Sequence, residues 1–112
     1  MSLIEAIERG NTSEALVMIS RGQGLQERDE YEKTPLHWAC MYGHTEVAMA
    51  LMERGADIDA RDEDERTPLH WACNNGHTEV AMALIMKGAD SRSVHRLDSS
   101  LKSLFELSLI QI

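Results

Sequence analysis

The sequence predicts an all-α solenoid of stacked helix–turn–helix units with turn-like fingers between them, and three observations predict it. First, Thr34-Pro35-Leu36-His37-Trp38-Ala39-Cys40 recurs letter for letter as Thr67-Pro68-Leu69-His70-Trp71-Ala72-Cys73, an offset of 33 residues. Second, the identity runs on. Gly43 to Leu51 recurs as Gly76 to Leu84, and between 34–57 and 67–90 only positions 41, 42, 52, 53 and 54 differ from their counterparts. Third, Val47, Ala48, Leu51 and Met52 recur at spacings of three and four, which places them on one side of a helix. A unit of this length cannot bury its apolar face alone. Stacking neighbours builds the core, and a fixed period of 20–50 residues is the mark of such arrays.

Each element has a local reason. The first unit, 1–33, is a weaker copy: Leu3, Ala6, Gly10, Arg21-Gly22 and Asp29-Glu30 stand 33 residues before Leu36, Ala39, Gly43, Arg54-Gly55 and Asp62-Glu63. Ser2 and Glu5 have the spacing of a capping box, which starts its first helix. In the second unit, 34–66, the Thr34 hydroxyl caps a helix and Pro35 takes the first helical position, where a missing N–H costs nothing. That helix ends near Gly43, and Thr45 opens a second helix closed by Gly55. Residues 57–66 are charged and aperiodic, and read as an extended loop or short hairpin. The third unit, 67–99, repeats this plan until its loop, where Ser91 to Arg96 turns basic. Small Ala39 and Ala72 let neighbouring helices approach closely. At the end, Ser99 or Ser100 caps a helix with Leu101, Leu104, Phe105 and Leu109 at roughly helical spacing. Residues 100–112 are therefore expected to form a partial capping helix, with self-association through this apolar segment as the competing reading.

Length and composition bound the rest. At 112 residues the chain is expected to be one domain, and 43% hydrophobic with 27% charged residues describes a folded globular protein. Eleven Lys and Arg against 19 Asp and Glu give a net charge of −8, which argues against binding nucleic acid and for a protein partner with a basic or neutral surface. No apolar run reaches the ~20 residues of a membrane helix. Met1–Gly10 lacks the charge and apolarity of a leader. Two cysteines do not make a disulfide framework. The expected location is intracellular, cytoplasmic or nuclear.

The Thr-Pro-Leu-His-x-Ala block, the following Gly-His and the closing Gly-Ala-Asp together resemble the ankyrin repeat family. The resemblance is complete over 34–90, moderate over 1–33 and absent over 91–112. It implies antiparallel helix pairs and projecting β-turn fingers in an L-shaped section. It also implies a non-catalytic protein–protein interaction module that binds through its concave face of finger tips and inner helices. This chain departs from the pattern at Met1-Ser2 and Ile4, where the family has Thr-Pro and histidine. Ile58-Asp59 stands for the usual Val-Asn, and Glu32 and Glu65 stand for the finger glycine.

Other chemistry is weighed against that reading. His37 with Cys40 and His70 with Cys73, each at i, i+3, offer in principle four zinc ligands. By the resemblance, however, the histidine is a structural hydrogen-bonding residue and the cysteine fills a small core slot, so no metal and no cofactor are expected. Helix axes ~8–10 Å apart also argue against a Cys40–Cys73 disulfide, which needs Cα atoms within ~7 Å. A Cys–His nucleophile lacks an orienting acid, and no phosphate loop is present, so no enzyme is expected. His44 and His77 read as structural. Trp38 and Trp71 either pack between units or present an aromatic pair to a partner. Met49 and Met82, in the column of Leu16, read as gap fillers.

The near-identical units also locate a candidate contact surface. Met41-Tyr42 becomes Asn74-Asn75, so the fold does not dictate these side chains. By the resemblance they face the groove. The finger tips are Glu30 and Tyr31 with Lys33, and Glu63 and Asp64 with Arg66. An acidic groove with Tyr31, Met41 and Tyr42 as apolar contacts is the expectation. The alternatives are a designed or structural repeat protein without a physiological partner, or a fragment that self-associates through 100–112.

Overall fold

The structure, a computed structural model, describes residues 2–89. The expected third finger and the expected helix over 100–112 lie outside the described residues. Six helices occur among the described residues, and no strand: α1 (Leu3–Glu8), α2 (Thr12–Ser20), α3 (Pro35–Tyr42), α4 (Thr45–Glu53), α5 (Pro68–Asn74) and α6 (Thr78–Met86). Each odd helix is joined to the next through two or three residues and packs on it, so the two run back against each other as an αα-hairpin. α1, α3 and α5 form an inner row; α2, α4 and α6 form an outer row.

The helix starts are built as the sequence dictates. Thr34 Oγ1 accepts the His37 amide at 3.3 Å, and the Thr34 amide donates to His37 Nδ1 at 3.0 Å. Thr67 and His70 repeat this reciprocal box at 3.4 and 3.1 Å. Pro35 and Pro68 follow at the first helical position. In the first unit, Ser2 Oγ accepts the Glu5 amide at 3.1 Å, and the Ile4 amide donates to Glu27 Oε1 at 3.1 Å. A carboxylate from the following loop thus supplies an acceptor that the missing Thr–His pair does not. α3 ends at Gly43, whose φ of 71° is left-handed. A Cβ there would also stand 2.6 Å from His77 Nδ1, so glycine is required twice over.

The core is a set of columns with a 33-residue period. Leu3, Leu36 and Leu69 are each at most 1% exposed; Ala6, Ala39 and Ala72 are fully buried. Ala15, Ala48 and Ala81 do the same on the outer row. Methyl-sized side chains at these slots let successive units seat the larger Ile7, Ile19, Val47, Leu51, Val80 and Leu84 between them.

The fingers are tight turns rather than strand hairpins. The Glu32 amide donates to the Asp29 carbonyl and the Asp29 amide to the Lys33 carbonyl, both at 3.0 Å. Asp62, Glu65 and Arg66 repeat the pattern at the same distance. Glu32 and Glu65 sit at φ of 63° and 62°, the left-handed position that completes a three-residue turn and that glycine would occupy without strain. The tips also join: the Glu63 amide donates to the Tyr31 carbonyl at 3.0 Å.

Candidate functional site

Each of the two described fingers is fixed by one aspartate. Asp29 Oδ1 accepts the Tyr31 and Lys33 amides at 2.9 Å, while Oδ2 accepts the Trp38 indole N–H at 2.8 Å. Asp62 does the same with the Asp64 and Arg66 amides at 2.9 and 3.0 Å and with Trp71 at 2.9 Å. The aspartate therefore holds the turn with one oxygen and ties it to the inner helix of the next unit with the other. Burial alone would raise the Asp62 pKa. The Arg66 amide, the Trp71 indole and the Asp64 amide outweigh it and bring the pKa below the usual carboxylate value.

Lys33 departs from the expected tip position. It is 8% exposed, and its Nζ lies 3.8 Å from Asp62 Oδ2. It also sits 5.1 Å from the Tyr31 ring centroid and 5.0 Å from that of Trp71, so stacking the second finger on the first encloses the ammonium between two aromatic faces and a carboxylate. Arg66 is half-buried, and its guanidinium also lies over the Trp71 ring, 5.2 Å from the centroid. Arg28 adds a clamp: its guanidinium donates to the Glu32 carbonyl at 3.1 Å and to the Arg61 carbonyl of the next unit at 2.9 Å. The tryptophans are thus bound into the scaffold by their indole N–H groups.

The remaining expected contacts point outward. Glu30, Glu63, Asp64, Asn74 and Asn75 are exposed, as are Tyr31 and Tyr42 at 47% and 45%. Tyr42 lies 5.8 Å from the Trp38 ring and 5.9 Å from that of His44. A continuous path therefore runs from the first finger through Asp29 and Trp38 to Tyr42. Met41 is half-buried, and its carbonyl accepts Asn75 Nδ2 at 3.0 Å and His77 Nε2 at 2.9 Å. Asn75 is thereby partly used in joining the second and third units, whereas Asn74 makes no such bond among the described residues.

His37 and Cys40 are placed for structure. His37 Nδ1 accepts the Thr34 amide while Nε2 donates to the Arg66 carbonyl at 2.9 Å, which occupies both ring nitrogens of the neutral imidazole. Burial lowers the His37 pKa despite the Arg66 carbonyl and the nearby Asp62. His70 is lowered by burial and by the Arg61 and Arg66 charges. Cys40 and Cys73 are buried free thiols. Burial pushes the Cys73 pKa up to about 12 and that of Cys40 higher still. Thiols held in this state are poor nucleophiles. Among the described residues no group of three or more His, Cys, Asp or Glu is placed to hold a metal ion, and no helix is long and apolar enough to cross a membrane.

The family description for ankyrin repeats in three copies matches residues 3–94. The chain belongs to the ankyrin repeat family. No curated protein matches it. Ankyrin repeats are generally protein–protein interaction modules, typically without catalytic activity. Within this ankyrin chain, the residues that sequence reasoning missed are the two finger aspartates and Arg28. A signal for the aspartates was present: Asp29 precedes Trp38 by nine residues, and Asp62 precedes Trp71 by the same interval. Two grooves also lie away from the fingers, of about 280 Å³ between α2 and α4 and about 470 Å³ between α4 and α6.

Proposed function

We propose that this ankyrin chain is a non-catalytic recognition module that binds a partner protein along its fingers and inner-helix ends. One observation carries the reading: the frame and the reading surface are made by different residues. Asp29, Asp62, Trp38, Trp71, Arg28 and Lys33 fix the fingers. The side chains of Glu30, Glu63 and Asp64 project from the turns without a hydrogen bond or ion pair among the described residues, and the Tyr31 ring is half open. With Met41, Tyr42 and Asn74 they form a surface whose chemistry the fold leaves free; Arg66, over the Trp71 ring, and Asn75, bonded to the Met41 carbonyl, border that surface and serve the frame as well. Three carboxylates and two tyrosines favour a partner with basic or neutral patches and pockets for aromatic anchors. Buried free thiols fit work in a reducing compartment, the cytoplasm or nucleus.

The test is a set of single substitutions read by equilibrium binding to a partner recovered with the intact chain. Tyr31→Ala, Tyr42→Ala and Asp64→Lys are expected to weaken binding by about tenfold or more, the scale of a hot-spot residue. Glu14→Ala, on the exposed side of α2, is expected to leave it unchanged. A dominant Glu14 effect, or no effect at the two tyrosines, would remove the concave-face reading.

A further inference from the structure

The groove between α4 and α6 lies on the outer helices, away from the fingers, and nothing in the recognition surface above uses it. Its lining includes Met49, Met82, Met86, Ala83, Glu46 and Glu79. The corresponding groove one unit earlier is smaller and includes a cation. It is lined by Leu16 and Ala50 together with Glu53 and Arg54, and the Arg54 guanidinium reaches over Gly22. The difference traces to positions where the duplicated units diverge. Glu53 becomes Met86, and Met86 is 81% exposed. The scaffold accepts glutamate at this slot, so an exposed methionine there is not a requirement of the helix. Around the three thioethers, Glu46 and Glu79 are exposed and have no ion pair or hydrogen bond from their carboxylates among the described residues. Among the described residues no cation lines the groove.

We propose that this groove is a second docking site, and that it takes a basic amphipathic segment of a partner protein. Methionine side chains are flexible and polarisable, so three of them adapt to leucine- or phenylalanine-sized groups of varied shape. An apolar ridge with anchors one helical turn apart matches a groove between parallel outer helices. The two exposed carboxylates, without an ion pair among the described residues and in a chain of net charge −8, select lysine or arginine beside that ridge over an acidic flank. The site is independent of the finger surface, so the two proposals stand or fall separately.

The probe is a short synthetic helix-forming peptide with leucines at i and i+4 and flanking lysines, titrated into the intact chain. The ε-methyl NMR signals of the methionines and fluorescence anisotropy of the peptide are the readouts. Binding is expected to shift the Met49, Met82 and Met86 methyls. It should weaken about tenfold with Met86→Glu, which installs the residue the second unit carries, and comparably with Glu46→Lys plus Glu79→Lys. Tyr42→Ala should leave it unchanged. Unaltered circular dichroism of the variants controls for folding. Three results would each overturn the proposal: no peptide binding, equal binding of a peptide with glutamates in place of the lysines, or peptide binding insensitive to Met86→Glu. Two others would assign the groove a different occupant and equally overturn it. One is methionine-methyl contacts, in the isolated chain, to Leu or Phe side chains of residues 101–109. The other is a dimer in sedimentation that Met86→Glu dissolves.

Discussion

Glu32 and Glu65 carry local strain at the point where each finger closes. At φ near 62° the Cβ crowds the backbone, a penalty of roughly 1–2 kcal/mol for an L-residue. Glycine removes that penalty but adds about 0.5–1 kcal/mol of backbone entropy in the unfolded chain. Each glutamate also sets a carboxylate within 4 Å of a guanidinium, Glu32 with Arg28 at 3.8 Å and Glu65 with Arg61 at 3.9 Å, but these pairs are exposed and long. Glu32→Gly and Glu65→Gly are therefore each expected to stabilise the protein by about 0.5 kcal/mol. The check is a rise in urea midpoint with an unchanged slope. A fall in midpoint for both variants would mean that the Arg28 and Arg61 pairs outweigh the backbone strain. The residue scale is also where sequence reading stopped short. Lys33 looks like a tip cation in a single unit. Only the stacking of the next finger reveals that it is enclosed by Asp62, Tyr31 and Trp71.

Among the elements, α3 and α5 depend on a histidine that must stay neutral. In the folded chain His37 Nδ1 and His70 Nδ1 accept the amides of Thr34 and Thr67, so a proton on that nitrogen would face another N–H. Both folded-state pKa values lie below the ordinary 6.5. The stabilisation is therefore fully present above about 6.5, and is lost as pH falls from that value toward the lowered one, because the unfolded chain then binds more protons. Asp62, also lowered, adds a second loss below the ordinary carboxylate value of 3.8. Urea unfolding at pH 7.5 and 5.5 should show lower stability at the acid pH. Glutamine retains the reciprocal cap without titrating, so His37→Gln with His70→Gln should flatten that difference. An undiminished difference in the double variant would show that other groups carry it. Helix existence and caps were legible in the sequence because the Thr-Pro-x-His cap and the left-handed Gly43 stop act within one turn of chain. The finger framework was not, because Asp29 meets Trp38 and Arg28 meets the Arg61 carbonyl across the boundary between units.

At the scale of the whole molecule, the 33-residue period makes each unit lean only on its neighbours, and the consequences of a core defect depend on where it falls. Leu3 and Leu36 are both essentially buried and occupy the same column, so truncation of either to alanine removes about the same apolar group, at roughly 2–5 kcal/mol. Their surroundings differ. α1 packs against α2 and α3, whereas α3 packs against α1, α4 and α5. In a nearly one-dimensional stack, a weakened end unit opens by itself, while a weakened middle unit loses the coupling that holds both sides together. Leu3→Ala is therefore expected to reduce amide-exchange protection in α1 and α2 and to leave α4, α5 and α6 close to the parent. Leu36→Ala should lower protection in all six helices together. Hydrogen exchange read by mass spectrometry on peptides covering each helix separates the two patterns. Uniform loss in both variants would show that the described units unfold as one cooperative body, with interface terms strong enough that position in the stack no longer matters.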